Sequence, residues 1–333
     1  MKKRTTIADV ARAAGVSMMT VSRAVNQKPG LNQELRQKIL ALAEEMDYRP
    51  SQIARGLATS RTTTVGLVVP DITNPFFAEI ARGVEDVAFE SGYTVFLINT
   101  AEDREREQAA LNSLWEHEID GAILCSLRLP QKQLSTAVKR FPAAVLFNRE
   151  LSLPGSNIVS MSVNDKQGAY EAVGYFVRQG RAYIAFLAGP KNSISSQRRL
   201  EGYRQGLMDA GIEYNPSLTE YCLPDTENGY FAAQVLLSRR PDIDALFAFN
   251  DLVAVGALRA CWDAGQSVPK DIAIIGSDDI PLASIIRPQL STLHVNLKQI
   301  GRTAMRTLLE IIAGNTSHTT LQIEPELCLR ETT

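Results

Sequence analysis

Thr-Ile-Ala-Asp-Val-Ala-Arg-Ala-Ala-Gly-Val-Ser-Met-Met-Thr-Val-Ser-Arg-Ala-Val-Asn, residues 6–26, carries two short helices and the turn between them. Thr6 followed three residues later by Asp9 has the spacing of a capping box, and Ile7, Val10, Ala11 and Ala14 form one apolar face. Gly15 stops this helix where a sharp turn needs a residue tolerant of positive φ. Ser17 caps a second helix that runs to about Asn26. Its Val21, Ala24 and Val25 point inward, while Met18, Met19, Ser22, Arg23 and Asn26 share the opposite face. Working outward, the pattern over 32–46 predicts a third helix burying Leu35, Ile39, Leu42 and Met46. Three short helices with a tight glycine turn between the first two make a helix-turn-helix pattern.

The charge distribution points the same way. Net charge over the 333 residues is −2, yet residues 1–61 hold eleven Lys/Arg against five Asp/Glu, a balance of +6. Residues 62–333 hold 24 against 32, a balance of −8. A small basic head on an acidic body suits a protein that presents one end to a polyanion. Cys125, Cys222, Cys261 and Cys328 are widely separated and lack metal-ligand spacing, so they read as reduced thiols. No apolar run approaches the roughly 18 residues a membrane helix needs. The basic start, Met1-Lys2-Lys3-Arg4, lacks the apolar core of an export signal, so a cytoplasmic location is expected.

Residues 6–26 closely resemble the headpiece of the LacI/GalR family of bacterial transcription regulators, a far more specific match than a generic helix-turn-helix. The resemblance implies a repressor that binds a pseudo-palindromic operator as a homodimer and answers to a small sugar or sugar derivative. It implies no enzymatic activity, cofactor, metal or membrane partner. By the same resemblance Met18, Met19 and Arg23 read base edges. Arg23 suits a guanine fork, and the two methionines suit thymine methyls or groove shape. Thr20 and Ser22 would hold phosphates or cap the helix. The implied DNA-contact set is Thr6, Ser17, Met18, Met19, Thr20, Ser22, Arg23 and Asn26, with Ala54 and Leu57 further along.

Those last two lie in a hinge, taken as residues 49–62 between a headpiece of 1–48 and a body of 63–333. Pro50 ends the third helix. Residues 51–58 then show a weak helical pattern, Ile53 and Ala54 with Leu57. The segment resembles the family's hinge helix, in which two copies pair in the minor groove and a leucine, here Leu57, wedges between base pairs. Gly56 weakens such a helix by about 1 kcal/mol. Eight residues are too few to hold it alone, so it is expected to order only with DNA and a second subunit.

From Thr64 the texture becomes alternately apolar strands and amphipathic helices. Strand-like runs include 65–69, 94–98, 121–124, 144–147, 184–188, 245–249 and 272–275, separated by helical stretches at 76–91, 105–118, 168–179, 196–210, 229–238 and 252–264. Repeated β-α-β predicts doubly wound parallel sheets in two lobes, with ligand beyond the carboxyl ends of the strands. The N-lobe is expected at about 63–162 with 293–322, and the C-lobe at about 163–292 with 323–333. Polar residues cluster at the predicted strand ends: Asp71, Asn74, Phe76 and Phe77; Asn148 and Arg149; Arg199; Asn250 and Asp251; Asp278 and Asp279. Amides, a guanidinium and carboxylates beside phenylalanines suit a polyhydroxylated ring.

The body also resembles the family's effector domain and the periplasmic pentose-binding proteins. Carried over by position, this makes Asn74, Asn148, Arg149, Arg199, Asn250 and Asp278 effector ligands, with Phe76 or Phe77 as the ring platform. Three positions depart from that pattern. Asn148 stands where many sugar binders have Asp, Pro224 replaces the opposite aromatic wall with Tyr221 nearby, and Val295 stands where a polar contact is common. The helix at 76–91, with Ile80, Val84 and Val87 on one face, is expected to pack on the sheet or on a partner. By the resemblance its outer edge joins a two-fold interface.

Two other classes fit the body alone. An exported sugar-binding protein is disfavoured by the basic headpiece and the missing signal core. A nucleotide- or NAD-dependent enzyme is disfavoured because the first strand runs into Pro70-Asp71-Ile72-Thr73-Asn74-Pro75, with no glycine cradle for phosphate. His117, His294 and His318 form no catalytic or metal set.

Overall fold

A computed structural model of the chain describes residues 5–49, 61–151, 157–315 and 320–333. Ala54, Leu57 and the expected hinge helix lie outside the described residues. The chain divides into two compact units, 1–63 and 64–333.

In the first unit α1 spans Ile7–Ala14, α2 Met18–Val25 and α3 Gln33–Glu45. Thr6 and Asp9 form a reciprocal capping box, and Gly15 closes α1 in the left-handed region at φ 67°. Val10, Ala11, Val21, Ala24, Ile39 and Ala43 make the core. Leu42, expected to be buried, is only half-buried, and Ala43 takes its place. Ile39 and Ala43 are one helical step of four apart, so both face α1 and α2, where a small side chain lets the helices close.

The second unit holds two six-stranded sheets. In chain order come β1 Thr64–Val69, α4 Pro75–Glu90, β2 Thr94–Asn99, α5 Arg104–Glu116, β3 Gly121–Cys125, α6 Gln131–Val138, β4 Ala144–Phe147 and β5 Ile158–Val163. Next are α7 Asp165–Arg178, β6 Ile184–Ala188, α8 Ile194–Asp209, β7 Thr219–Tyr221, α9 Thr226–Arg239, β8 Ala245–Ala248, α10 Asp251–Asp263, β9 Ala273–Asp278, α11 Pro281–Ile285 and β10 Ser291–His294. The chain then returns through α12 Leu297–Ile312 and β11 Leu321–Ile323 before β12 Glu326–Cys328.

The first sheet has the order β11-β5-β4-β3-β1-β2, and the second β12-β10-β9-β8-β6-β7. Every pairing is parallel except β10 with β12. The chain therefore passes between the lobes after Val163, after His294 and after Ile323. β10 pairs with β9 in the second sheet, so the return starts after 294 rather than at 293.

Strand alternation sorts the core. Val65, Leu67, Ile123 and Val145 face α4 and α12, while Val68, Leu124 and Leu146 face α5 and α6. Ile80, Val84 and Val87 of α4 are buried in this core, so only the helix's outer edge, with Phe89 79% exposed, is open to a partner. α4 and α12 cross at two glycines. A Cβ on Gly301 would lie 2.0 Å from the Ile80 carbonyl oxygen, and one on Gly83 would lie 2.1 Å from that of Lys298. This contact ties the returning segment to the first lobe.

Candidate functional site

In each sheet one neighbouring pair, β1/β3 and β6/β8, marks the point where the winding reverses. A crevice opens beyond the carboxyl ends of those strands. A cleft of about 390 Å³ lies there, with walls from both lobes. From the first lobe it takes Asn74, Phe76, Phe77, Glu102, Ser126, Arg128 and Asn148, and from the second Ser193, Ser195, Arg199, Pro224, Phe249, Asn250 and Asp278.

Three helices begin at this cleft, and each is closed by its own side chain. Asn74 Oδ1 accepts the Phe76 N–H at 3.0 Å, Ser193 Oγ the Ser196 N–H at 3.3 Å, and Asn250 Oδ1 the Val253 N–H at 2.9 Å. Asn250 Nδ2 also donates to the Pro224 carbonyl at 3.1 Å, so both of its polar atoms are engaged. Asn148 sits in the left-handed region at φ 56°, and its Oδ1 accepts the Val163 N–H at 3.1 Å. The amide nitrogens of Asn74 and Asn148 have no partner among the described residues. Phe76 and Phe77 stack edge to face with ring centres 4.9 Å apart, and Phe249 stands on the opposite lobe.

The charged groups are paired. Arg199 is buried, with its guanidinium on Asp165 at 2.8 Å, on Asp278 at 3.3 Å and on the Phe249 carbonyl. Burial pushes its pKa down, but the two carboxylates overcome this and raise it. Burial is also the main reason the Asp278 carboxyl is pushed up to about 7, with Arg199 opposing and Asp165 adding. Behind it Asp251 is held well above the usual carboxylate range by burial and by Asp278.

Arg149 is not where the pattern puts it. Its guanidinium donates to the carbonyls of Leu127 at 2.6 Å and Leu129 at 3.0 Å, outside the cleft lining, and it braces the loop after β3. The arginine that faces the cleft from this lobe is Arg128. It grips both oxygens of Glu102 at 2.7 and 3.0 Å and the Ser126 carbonyl at 2.6 Å. The Glu107 carboxylate fixes the loop by accepting the backbone N–H groups of Arg128 and Leu129. Glu102, Ser126 and Arg128 follow the ends of β2 and β3, and Ser193 and Ser195 stand at the start of α8, but none is singled out in the sequence. Besides strand-end position, a signal for Arg128 is a charged residue inside the apolar run Leu127-Arg128-Leu129. Pro224 lines the cleft and Tyr221 does not. Val295 lines a smaller cavity behind Arg199, with Asp165 and Ser277.

In the first unit, five of the expected contact residues have local structural work. Thr6 caps α1. Ser17 Oγ accepts the Thr20 N–H at 3.1 Å and shares a hydrogen bond with the Thr20 hydroxyl at 2.9 Å. Asn26, just beyond α2, donates to the Ser22 carbonyl at 2.9 Å. Met18 and Met19 are 55% and 64% exposed, and Arg23 is exposed, its side chain without a hydrogen bond or ion pair among the described residues. Among the described residues no His, Cys, Asp or Glu cluster suits a metal ion, and no helix is long and apolar enough to cross a membrane.

Comparison with known proteins follows this division. A family model for bacterial regulatory proteins of the lacI family matches residues 6–51, and one for periplasmic binding proteins and the sugar-binding domain of the LacI family matches 62–331. The chain is 35% identical over 330 residues to the ribose operon repressor of Halalkalibacterium halodurans, covering 99% of this chain and 97% of that one. It is 35% identical over 305 residues to catabolite control protein A of Priestia megaterium, covering 91% of each. The lac repressor dimer bound to operator and the anti-inducer ONPF has a TM-score of 0.89 at 26% identity, covering 99% of both chains.

Proposed function

Because this chain belongs to the LacI family of bacterial regulatory proteins, we propose that it is a cytoplasmic transcription repressor whose operator affinity is set by a small sugar-like effector held between the lobes of its body. It is a regulator and not an enzyme, and it needs no cofactor. The observation that carries this reading is the cleft, which sets the free amide donors of Asn74 and Asn148 on one lobe against the Asp278 carboxylate on the other, beside three phenylalanine rings. Hydroxyls suit those polar groups, and the C–H faces of a sugar ring suit the aromatic ones.

In the headpiece Arg23, Met18 and Met19 read the operator bases from α2, while Thr6, Ser17, Thr20, Ser22 and Asn26 orient the helix or meet phosphate. Two headpieces on a homodimer match a pseudo-palindrome. Exposed apolar side chains on the body suit the dimer: Phe96 and Leu97 on edge strand β2, Phe231 on α9 and Trp262 on α10. An effector touching both lobes favours one closure over another. It shifts DNA affinity only by its difference in affinity for the two states, typically about 1–3 kcal/mol.

Fluorescence anisotropy with a genomically selected operator tests the reading. Binding is expected at about 10⁻⁸–10⁻¹¹ M for the full chain, and none when residues 1–61 are removed. Reciprocity also requires operator to change effector affinity by the factor by which effector changes operator affinity. Undiminished operator binding by the truncated chain would overturn the headpiece assignment, and identical effector titrations with and without operator would overturn the control mechanism.

A further inference from the structure

We infer that the effector is an uncharged polyol, not a phosphorylated or carboxylated sugar, and that the Glu102–Arg128 pair is the specificity determinant that refuses the anion. This rests on the cleft being the effector site. Anion recognition needs donors or positive charge that are not already committed. Here each guanidinium is taken. Arg128 places Nε and Nη2 on Glu102 and Nη1 on the Ser126 carbonyl, and its side chain is 6% exposed. Arg199 is divided among Asp165, Asp278 and the Phe249 carbonyl. Arg149 points at the Leu127 and Leu129 carbonyls.

Lys191 and Arg198, on either side of the cleft-lining Ser193 and Ser195 in the sequence, do not line the cleft. Lys191 rests its ammonium 4.7 Å from the centre of the Tyr221 ring, and Arg198 pairs with Glu150. The three helix N-termini that open here would otherwise attract an anion. Their donors at Phe76, Ser196 and Val253 are already capped by Asn74, Ser193 and Asn250.

The charge count follows. Arg128 and Arg199 with the carboxylates they bond, Glu102 and Asp278 in the lining and Asp165 outside it, form a network of one net negative charge. A proton on Asp278 brings this to zero, never above it. A phosphate ester brings about −1.5 to −2 more. What remains uncommitted among the described residues is the vocabulary of a neutral sugar: the amide nitrogens of Asn74 and Asn148, the hydroxyls of Ser126 and Ser195, and Asp278 Oδ2. A lone carboxylate oxygen needs a donor, which a hydroxyl supplies and a phosphate dianion does not.

Calorimetric titration of the full chain with D-ribose, D-xylose, D-galactose and D-glucose, each paired with its phosphate ester, and with inorganic phosphate, tests this. A free sugar is expected to bind at least 100-fold more tightly than its phosphate, with inorganic phosphate at 10 mM failing to compete (roughly the ratio that one to two lost charge-assisted hydrogen bonds produce). Glu102→Gln releases the Arg128 fork and is expected to narrow the preference at least tenfold while admitting inorganic phosphate. The double variant Glu102→Gln/Arg128→Gln removes the pair without freeing a cation, and is expected to refuse phosphate again. A sugar phosphate binding the unaltered chain more tightly than the free sugar overturns the inference, as does phosphate competition that Glu102→Gln leaves unchanged. None of these readouts involves DNA, so failure of the regulator reading, seen only in operator titrations, is separable from failure here.

Discussion

The outer face of α2 and the wall of the cleft are built on opposite terms. On α2 the proposed readers are exposed and uncommitted, whereas the arginines of the cleft are buried and already bonded to carboxylates and carbonyls. Recognition on α2 is therefore separable from stability. In the cleft the two are one network, and removing a ligand-facing group strands its partner.

The sharpest way to break this contrast is Arg199→Ala. It leaves Asp165 and Asp278 buried without their cation, and the expected loss is about 3–5 kcal/mol of body stability, read from urea unfolding. A loss under about 1 kcal/mol would mean that the network does not hold the lobe. Two glycines come next. Gly301→Ala drives a Cβ into the Ile80 carbonyl and is expected to cost about 1–3 kcal/mol or more. Gly15→Ala meets no atom within 4 Å, so only the left-handed backbone opposes it, at about 1–2 kcal/mol. A cost well under about 1 kcal/mol at Gly301 would contradict the α4–α12 contact.

Arg23→Ala is the counterpart of Arg199→Ala on the exposed surface. It is expected to cost about 1–3 kcal/mol of discrimination at one base pair while moving thermal stability by no more than about 0.5 kcal/mol. A large fall in melting temperature would show that Arg23 has structural work after all.

The last test is in pH. Burial raises the Asp278 carboxyl to about 7, so the folded chain holds this proton more tightly than the unfolded chain does. The resulting stabilisation is complete below about pH 4 and is lost as pH rises towards 7, after which it stays flat. Melting temperatures of the unaltered chain and Asp278→Asn, compared between pH 5 and 8, should show the unaltered chain falling relative to the variant up to about pH 7. Parallel curves throughout would contradict the burial-driven shift.

Much of the cleft was legible because an apolar run announces a strand and its end locates a crevice residue. Asn74, Phe76, Phe77, Asn148, Asn250 and Asp278 all line the cleft within reach of such an end. Arg149 follows Asn148 directly, and that adjacency misleads: consecutive side chains leave a strand end in different directions, and its partners are two loop carbonyls. β5 was obscured by Ser160 and Ser162, which interrupt its apolar pattern, and β11 and β12 have three residues each. Short strands make sense only beside the neighbours they pair with.

The sequence by itself determined what lies within one helical turn: the Thr6–Asp9 box, the Gly15 turn, the Ser17 cap and the face carrying Met18, Met19 and Arg23. Such bonds join residues two to four apart, and local conformation alone brings them together. The tertiary structure alone decided which charges pair in the cleft. Glu102 meets Arg128 across 26 residues, Asp165 meets Arg199 across 34, and Arg199 meets Asp278 across 79. Those meetings depend on the order of strands in two sheets, and so on long-range packing that no local spacing encodes.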